Sequence, residues 1–429
     1  MHFTVQPSTV TNAKVTVPGD KSISHRALML GGIAEGQTTV SGFLAGEDCL
    51  ATLATMTAMG VEVEQPSATE ITIQGVGLRG LVEPAQDLDL GNSGTAMRLM
   101  AGLLCGQSFT SVLTGDASLT SRPMQRVISP LGLMGASIDS NEGRPPLTVR
   151  GDAALRGIDY TLPVASAQVK SAILLAGLYA DGITTVKEPA ITRDHTERML
   201  GAMGVEVDRT DRRISMRGHQ TLTGGNIQVP ADLSSASFIM LAALLSDSAD
   251  VLIEGVGVNP TRTGVIDILQ AMGGDIGLEN ARLFGEEPIA DIRVRSSTLH
   301  GGPVDPALVS LAIDEFPVLF VAAAAARGKT EFAGIGELRV KESDRIAAMS
   351  TGLRALGIQV DETQDGATVY GGPFRGGEVE SHGDHRVAMS LAVAGTIAGG
   401  TVTVNDVAAV NTSFPGFASC LADLGVSIQ

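Results

Sequence analysis

The 429-residue chain has no Trp, 3 Tyr and 11 Phe. So small an aromatic supply argues against a stacking platform for single-stranded nucleic acid. It leaves the core to Ala, Leu, Val, Ile and Met, which suit small helices packed closely on sheets. Bases are also scarce. Thirty Lys and Arg face 47 Asp and Glu, a formal charge of −17 that repels DNA, RNA and anionic membranes, so neither nucleic acid nor membrane is expected as a partner. The three cysteines, Cys49, Cys105 and Cys420, sit in apolar runs without metal-ligand spacing. They read as reduced core thiols of a cytoplasmic protein. Long apolar runs are missing too: the longest are Ala-rich and broken by Gly, and no basic segment leads an apolar one at the N-terminus, so neither a spanning helix nor a secretion signal is predicted.

What is plentiful is glycine, at 52, and six of them close the same phrase: Gly60, Gly135, Gly204, Gly273, Gly357 and Gly425. Each phrase runs from a polar knot through an apolar helix-like run, a β-rich stretch, a loop and a second helix-like run to Met-Gly or Leu-Gly. Near-even recurrence over the whole length predicts one unit copied six times. At this length two domains of three repeats each are expected, with boundaries at 1–19 and 232–429 for a composite domain and 20–231 for the other.

The knots are residues 20–24, 92–95, 166–168, 232–237, 314–315 and 384–385, all rich in helix N-capping residues. The runs behind them, such as 96–104, 318–326 and 387–397, are apolar nearly all round and predict buried helices. β-Branched stretches such as 184–187 and 330–333 predict strands, and outer helices are predicted over 48–59, 193–203, 263–272, 344–356 and 417–424.

If the inner helices of each half point one way, their N-termini converge, and converging N-termini favour an anion even in an acidic protein. Cations stand near them: Lys21, Arg26, Arg98, Lys170 and Arg386 at or inside the knots, and Arg122, Arg193, Arg262, Lys341 and Arg345 in the loops. Pro18-Gly19-Asp20-Lys21-Ser22 through Arg26 lacks the spaced glycines of a nucleotide phosphate loop. Lys341 and Arg345, four apart, share one face on a helical start. For Asp314-Glu315, capping and proton acceptance both stay open on position alone. Arg193-Asp194-His195-Thr196-Glu197 lacks a His-Glu-x-x-His pair, so capping by Asp194 or Thr196 is the better reading than a metal. The fourth repeat, with residues 232–237 and Arg262, has the weakest case for direct chemistry and is read as serving the frame or the crossing.

Gly19-Asp20-Lys21-Ser22 through Arg26, residues 91–98, Gly115-Asp116-Ala117-Ser118 through Arg122-Pro123-Met124, Ser166-Ala167-Gln168, Lys341-Glu342-Ser343-Asp344-Arg345 and Asp384-His385-Arg386 stand in this order over essentially the whole chain. Together they resemble the 5-enolpyruvylshikimate-3-phosphate synthase family, with the bacterial class II pattern around 166–170, 193–197 and 259–262. The resemblance implies an α/β fold of two inverse domains, each of three βαβαββ repeats, with the active site in the interdomain cleft. It implies enolpyruvyl transfer from phosphoenolpyruvate to the 5-hydroxyl of shikimate 3-phosphate, in the pathway to chorismate and the aromatic amino acids.

Carried over by motif, Lys21, Ser22, Arg26, Ser166, Ala167, Gln168, Arg193, Asp314 and Lys341 hold shikimate 3-phosphate. Lys21, Gly94, Arg122, Gln168, Arg345 and Arg386 hold phosphoenolpyruvate, and Lys21, Asp314 and Glu342 are the catalytic candidates. No metal or cofactor is implied, and the protein is expected to be a cytoplasmic monomer. Thr412 stands before Ser413-Phe414-Pro415, where the other class carries a lysine, and Gly94 stands where some glyphosate-tolerant class II relatives have alanine. The sister transferase acting on UDP-N-acetylglucosamine typically has a cysteine in the loop occupied here by 115–118, and a non-catalytic anion-binding scaffold is the reading from another class.

Overall fold

The computed structural model describes residues 1–151 and 154–429. The six closing glycines have φ of 90° at Gly60, 102° at Gly135, 93° at Gly204, 97° at Gly273, 88° at Gly357 and 93° at Gly425. A side chain resists that left-handed conformation, which is why glycine recurs at the helix ends.

The chain divides into two compact units. One comprises Met1–Pro18, Pro230–Leu283 and Pro288–Gln429, and the other comprises Gly19–Val229 and Phe284–Glu287. In the second unit Asn226–Gln228 runs parallel to Glu35–Ser41, which is antiparallel to Glu70–Val76, and Glu70–Val76 is in turn antiparallel to Glu62–Ser67. Leu88–Asp89, Thr110–Thr114, Arg144–Arg150 and Ser137–Asn141 repeat that order, as do Asp159–Thr161, Ile183–Lys187, Arg213–Arg217 and Val207–Thr210.

The first unit keeps the plan with two strands borrowed from the N-terminal end of the chain. Ala13–Val15 is the parallel edge for Asp250–Gly257, and His2–Val5 is the antiparallel neighbour of Val402–Asn405. Lys329–Ala333 pairs with Gly366–Tyr370, and single parallel bridges at His300 and Pro303 take the place of its edge strand.

Six inner helices fill the two cores: Lys21–Ile33, Gly94–Leu104, Ala167–Gly177, Leu233–Leu244, Phe316–Ala325 and His385–Thr396. They are apolar nearly all round because they are covered nearly all round; Leu28, Leu99, Ile173, Leu241, Phe320 and Leu391 have no exposed surface. Burying each such side chain stabilises by roughly 1.5–3 kcal/mol. Gly102 lets the second inner helix touch the third, since a Cβ there would stand 2.2 Å from Ala172 O, and such overpacking is destabilising.

Five of these helices are capped by their knots. Asp20, Ser93, Ser166, Asp232 and Asp384 accept from backbone N–H groups of the first turn, each cap contributing about 1 kcal/mol. The fifth lacks a side-chain cap bond and carries Pro317 in its first turn, where a missing N–H costs little.

Candidate active site

Side chains tie together the N-termini of the three inner helices of the second unit. Arg26 of the first reaches Ser171 of the third, Nη2 to Oγ at 2.8 Å, and donates also to Thr196 Oγ1 at 2.7 Å and Ser22 O at 2.9 Å. Arg98 of the second donates to Gln168 Oε1 of the third at 2.5 Å, and Gln168 Nε2 donates back to Thr95 Oγ1 at 2.9 Å. His25 of the first lies 3.3 Å from Ser93 Oγ, the cap of the second, and 2.8 Å from Thr52 Oγ1. The helix ends therefore converge, and with them the partial positive charge and N–H groups that favour an anion.

On these ends stand Lys21, Ser22, Gly94, Ser166, Ala167 and Gln168. Lys21 Nζ pairs with the Asp48 carboxylate, which is 5% exposed. Arg122 donates to Asn92 Oδ1 at 2.5 Å and Ser118 Oγ at 3.1 Å, and Asn92 donates to Asp116 at 2.6 Å, so two separate glycine-flanked motifs meet. A Cβ on Gly94 would stand 2.9 Å from Arg122 Nη1 and 3.0 Å from Arg98 Nη1. Glycine there gives both guanidiniums room.

The clustered cations act on one another. Burial, and after it the charges of Lys21 and Arg26, hold His25 well below its usual 6.5. Burial pushes Arg26 down to about 10 despite Glu197 and Asp20, with Arg193 adding to the depression.

Two expectations for this unit are corrected. Lys170 is 1% exposed and donates to Glu188 at 3.0 Å and Thr192 O at 3.3 Å, with Glu197 at 2.8 Å; it pins the loop that leads to Arg193 instead of facing an anion. Burial opposes its charge, and Glu197 and Glu188 outweigh burial and raise its pKa. Asp194 does stand at the N-cap of the outer helix His195–Ala202, but its side chain makes no cap bond, and Thr196 lies inside the first turn. Asp194 accepts from Arg198 at 2.9 Å, Thr196 meets Arg26 and Ser171, and His195 Nδ1 meets Glu287 at 2.8 Å.

In the first unit Asp314 does not cap the fifth inner helix, whose N-cap is Glu315. Its carboxylate instead lies 3.3 Å from Lys341 Nζ and 3.5 Å from Arg345 Nη1. Lys341 is extended and precedes the outer helix Arg345–Ala355, so the two cations meet at Asp314 and not through helical spacing. Arg345 also holds Glu342 at 2.6 Å and Asp384 at 2.8 Å. Burial works against the Arg345 charge, but Asp384, Glu342 and Asp314 together raise its pKa.

Arg386 donates to Asp314 O at 2.8 Å, to Glu315 at 3.3 Å and to Ser234 Oγ at 3.2 Å. The last contact ties the fourth knot to Arg386. Arg262, 3% exposed, is occupied by Ser234 at 2.7 Å and Asp232 at 3.4 Å. Asp48, Ser171, Ser234 and Glu188 are partners of the cations that no motif of the sequence marks as such. Their contacts span 18 to 152 residues, and no local pattern signals such pairs.

The EPSP synthase (3-phosphoshikimate 1-carboxyvinyltransferase) family model matches residues 5–421. The chain belongs to the EPSP synthase family. It is 57% identical to the 3-phosphoshikimate 1-carboxyvinyltransferase of Alkalilimnicola ehrlichii, over all of this chain and 96% of that one. It is 54% identical to the enzyme of the same name from Xanthomonas axonopodis pv. citri, over all of this chain and 98% of that one. A solved EPSP synthase structure from Acinetobacter baumannii superposes with a TM-score of 0.89 at 52% identity, covering all of this chain and 99% of that one.

Against the EPSP synthase pattern, Thr412 is 6% exposed and its hydroxyl bonds Ala409 O at 2.7 Å. It closes the short 3-10 helix Ala408–Thr412 and supplies no charge. Among the described residues no group of three or more His, Cys, Asp or Glu is arranged to hold a metal, and no helix is long and apolar enough to cross a membrane.

Proposed function

We infer that this chain joins phosphoenolpyruvate to the 5-hydroxyl of shikimate 3-phosphate and releases inorganic phosphate. The observation that carries the reading is the Asp314 carboxylate held by Lys341 at 3.3 Å and Arg345 at 3.5 Å, in a chain matched to the EPSP synthase family from residue 5 to 421. Lys21, Ser22, Arg26, Ser166, Ala167, Gln168, Arg193, Asp314 and Lys341 bind shikimate 3-phosphate. Lys21, Gly94, Arg122, Gln168, Arg345 and Arg386 bind phosphoenolpyruvate. Arg26 already spends three of its five N–H groups on Thr196, Ser22 and Ser171, so it also braces the helix end from behind.

In the forward step the acceptor oxygen attacks C2 of phosphoenolpyruvate as its proton passes to Asp314, and C3 receives a proton from Lys21 or Glu342. The product is a tetrahedral adduct bearing a methyl group. In the second step that methyl returns a proton to the group that supplied it, the C2–O bond to phosphate breaks and the double bond re-forms, and the proton held by Asp314 leaves with the phosphate, restoring the carboxylate. Arg122, Arg345 and Arg386 offset the charge that develops on the donor. One proton enters and one leaves at C3, so the chemistry needs no redox cofactor. The protein works as a cytoplasmic monomer.

Mass spectrometry of the product tests the reading. Shikimate 3-phosphate incubated with phosphoenolpyruvate and the purified protein should gain one carboxyvinyl group, and an unmodified acceptor after prolonged incubation would refute the assignment.

A further inference from the structure

Ser234 lies in the first turn of the fourth inner helix, and its hydroxyl is fully used. It donates to Glu315 Oε1 at 2.5 Å and accepts from Arg262 Nη2 at 2.7 Å and from Arg386 Nη2 at 3.2 Å. A hydroxyl has one donor and two acceptor sites, so the three partners are fixed relative to one another. Ser234 is 4% exposed, Glu315 1% and Arg262 3%. The Arg386 side chain, at 13%, is the member that solvent reaches.

The charges balance. Arg262 also reaches Asp232 at 3.4 Å, giving two guanidiniums and two carboxylates around one hydroxyl. The other terminal nitrogen of Arg386 is committed as well, to Asp314 O at 2.8 Å and Glu315 at 3.3 Å. A long arginine side chain loses rotamer freedom when it grips an anion; here that freedom is removed before a ligand arrives.

We propose that Ser234 is a positioning residue for carboxyvinyl transfer: backed by Glu315 and Arg262, it holds the Arg386 guanidinium in the pose that receives the anionic end of phosphoenolpyruvate. The proposal rests on the reading of Arg386 given above and assigns the fourth repeat a share in the chemistry. Ser234 itself touches no substrate.

A double-mutant cycle tests it. Wild type, Ser234→Ala, Arg386→Lys and the double variant are compared by kcat and by KM for each substrate, with thermal unfolding to confirm folding. Loss of a buried, charge-assisted contact should raise the phosphoenolpyruvate KM of Ser234→Ala about tenfold. The shikimate 3-phosphate KM should stay put, and the serine change should add nothing once Arg386 is lysine.

An equal serine penalty in both backgrounds, or an unaltered phosphoenolpyruvate KM in Ser234→Ala beside an impaired Arg386→Lys, overturns the positioning role and leaves the reading of Arg386 standing. A wild-type phosphoenolpyruvate KM in Arg386→Lys overturns that reading and the positioning role with it. Should Ser234→Ala not fold, Ser234→Cys, which keeps the shape but offers only a weak donor and acceptor, goes through the same cycle with the same expected and contrary results.

Discussion

Arg345 and Asp384 form an ion pair almost closed to solvent: Nε lies 2.8 Å from Oδ2, and the two side chains are 1% and 0% exposed. Asp384 also caps the sixth inner helix, accepting from the N–H groups of Arg386 and Val387. One carboxylate thus orders two arginines assigned to phosphoenolpyruvate.

Removing the negative charge should strand Arg345. Breaking a buried pair costs about 3–5 kcal/mol, and Glu342 and Asp314 still face the guanidinium, so the lower end applies to Asp384→Asn. The urea midpoint should fall accordingly, and an unchanged midpoint would contradict the pairing. Burial raises the Asp384 pKa, but Arg345 outweighs it and the net value is below the usual carboxylate range. With the folded value below the unfolded one, this contribution is complete above about pH 4 and is lost as pH falls further.

His25 predicts a second pH effect. Its folded pKa lies well below 6.5, through burial and then the charges of Lys21 and Arg26, so the unfolded chain takes up the proton first. Stability is therefore complete above about pH 6.5 and declines below it, by up to about 1.4 kcal/mol per pH unit from this group. Denaturation curves at pH 7.5 and 5.5 should show a smaller loss in His25→Gln than in wild type. Equal losses would mean that His25 is not buried neutral.

Gly94→Ala places a methyl group 2.9 Å from Arg122 Nη1 and 3.0 Å from Arg98 Nη1, and both are ends of flexible side chains that must shift. The wild type should be sensitive to glyphosate. The variant should show weaker inhibition and a higher phosphoenolpyruvate KM, by about tenfold for a shift of the order of one charge-assisted hydrogen bond. Inhibition constants for the two purified proteins check this, and equal constants would refute the steric account.

Asp314→Ala and Glu342→Ala separate binding from chemistry. Loss of a general acid or base should cut kcat by about 10²–10⁴-fold. Binding of shikimate 3-phosphate, followed by calorimetry, should weaken far less. Turnover near wild type in either variant would remove that residue from the proton path.

The frame was legible because glycine marks it. Gly60 and its five counterparts are the positive-φ ends of outer helices, and the capping residues Asp20, Ser93, Ser166, Asp232 and Asp384 stand where the chain turns into inner helices. Both are local signals, set by a residue's own conformation and its nearest neighbours. Partnership was not legible. Lys170 looked like one more cation at a helix start, yet Glu188 and Glu197 close over it, and Ser234 finds Arg386 across 152 residues. Such pairs depend on which helix ends meet in three dimensions, and a periodic pattern records only which face of each helix is buried.

The acceptor distinguishes this chain's reaction from that of the sister transferase. Phosphate release should be followed with phosphoenolpyruvate and either shikimate 3-phosphate or UDP-N-acetylglucosamine, using the same purified protein. The account predicts release with shikimate 3-phosphate, none above background with the nucleotide sugar, and none from phosphoenolpyruvate alone; release driven by the nucleotide sugar, or by neither acceptor, would contradict it.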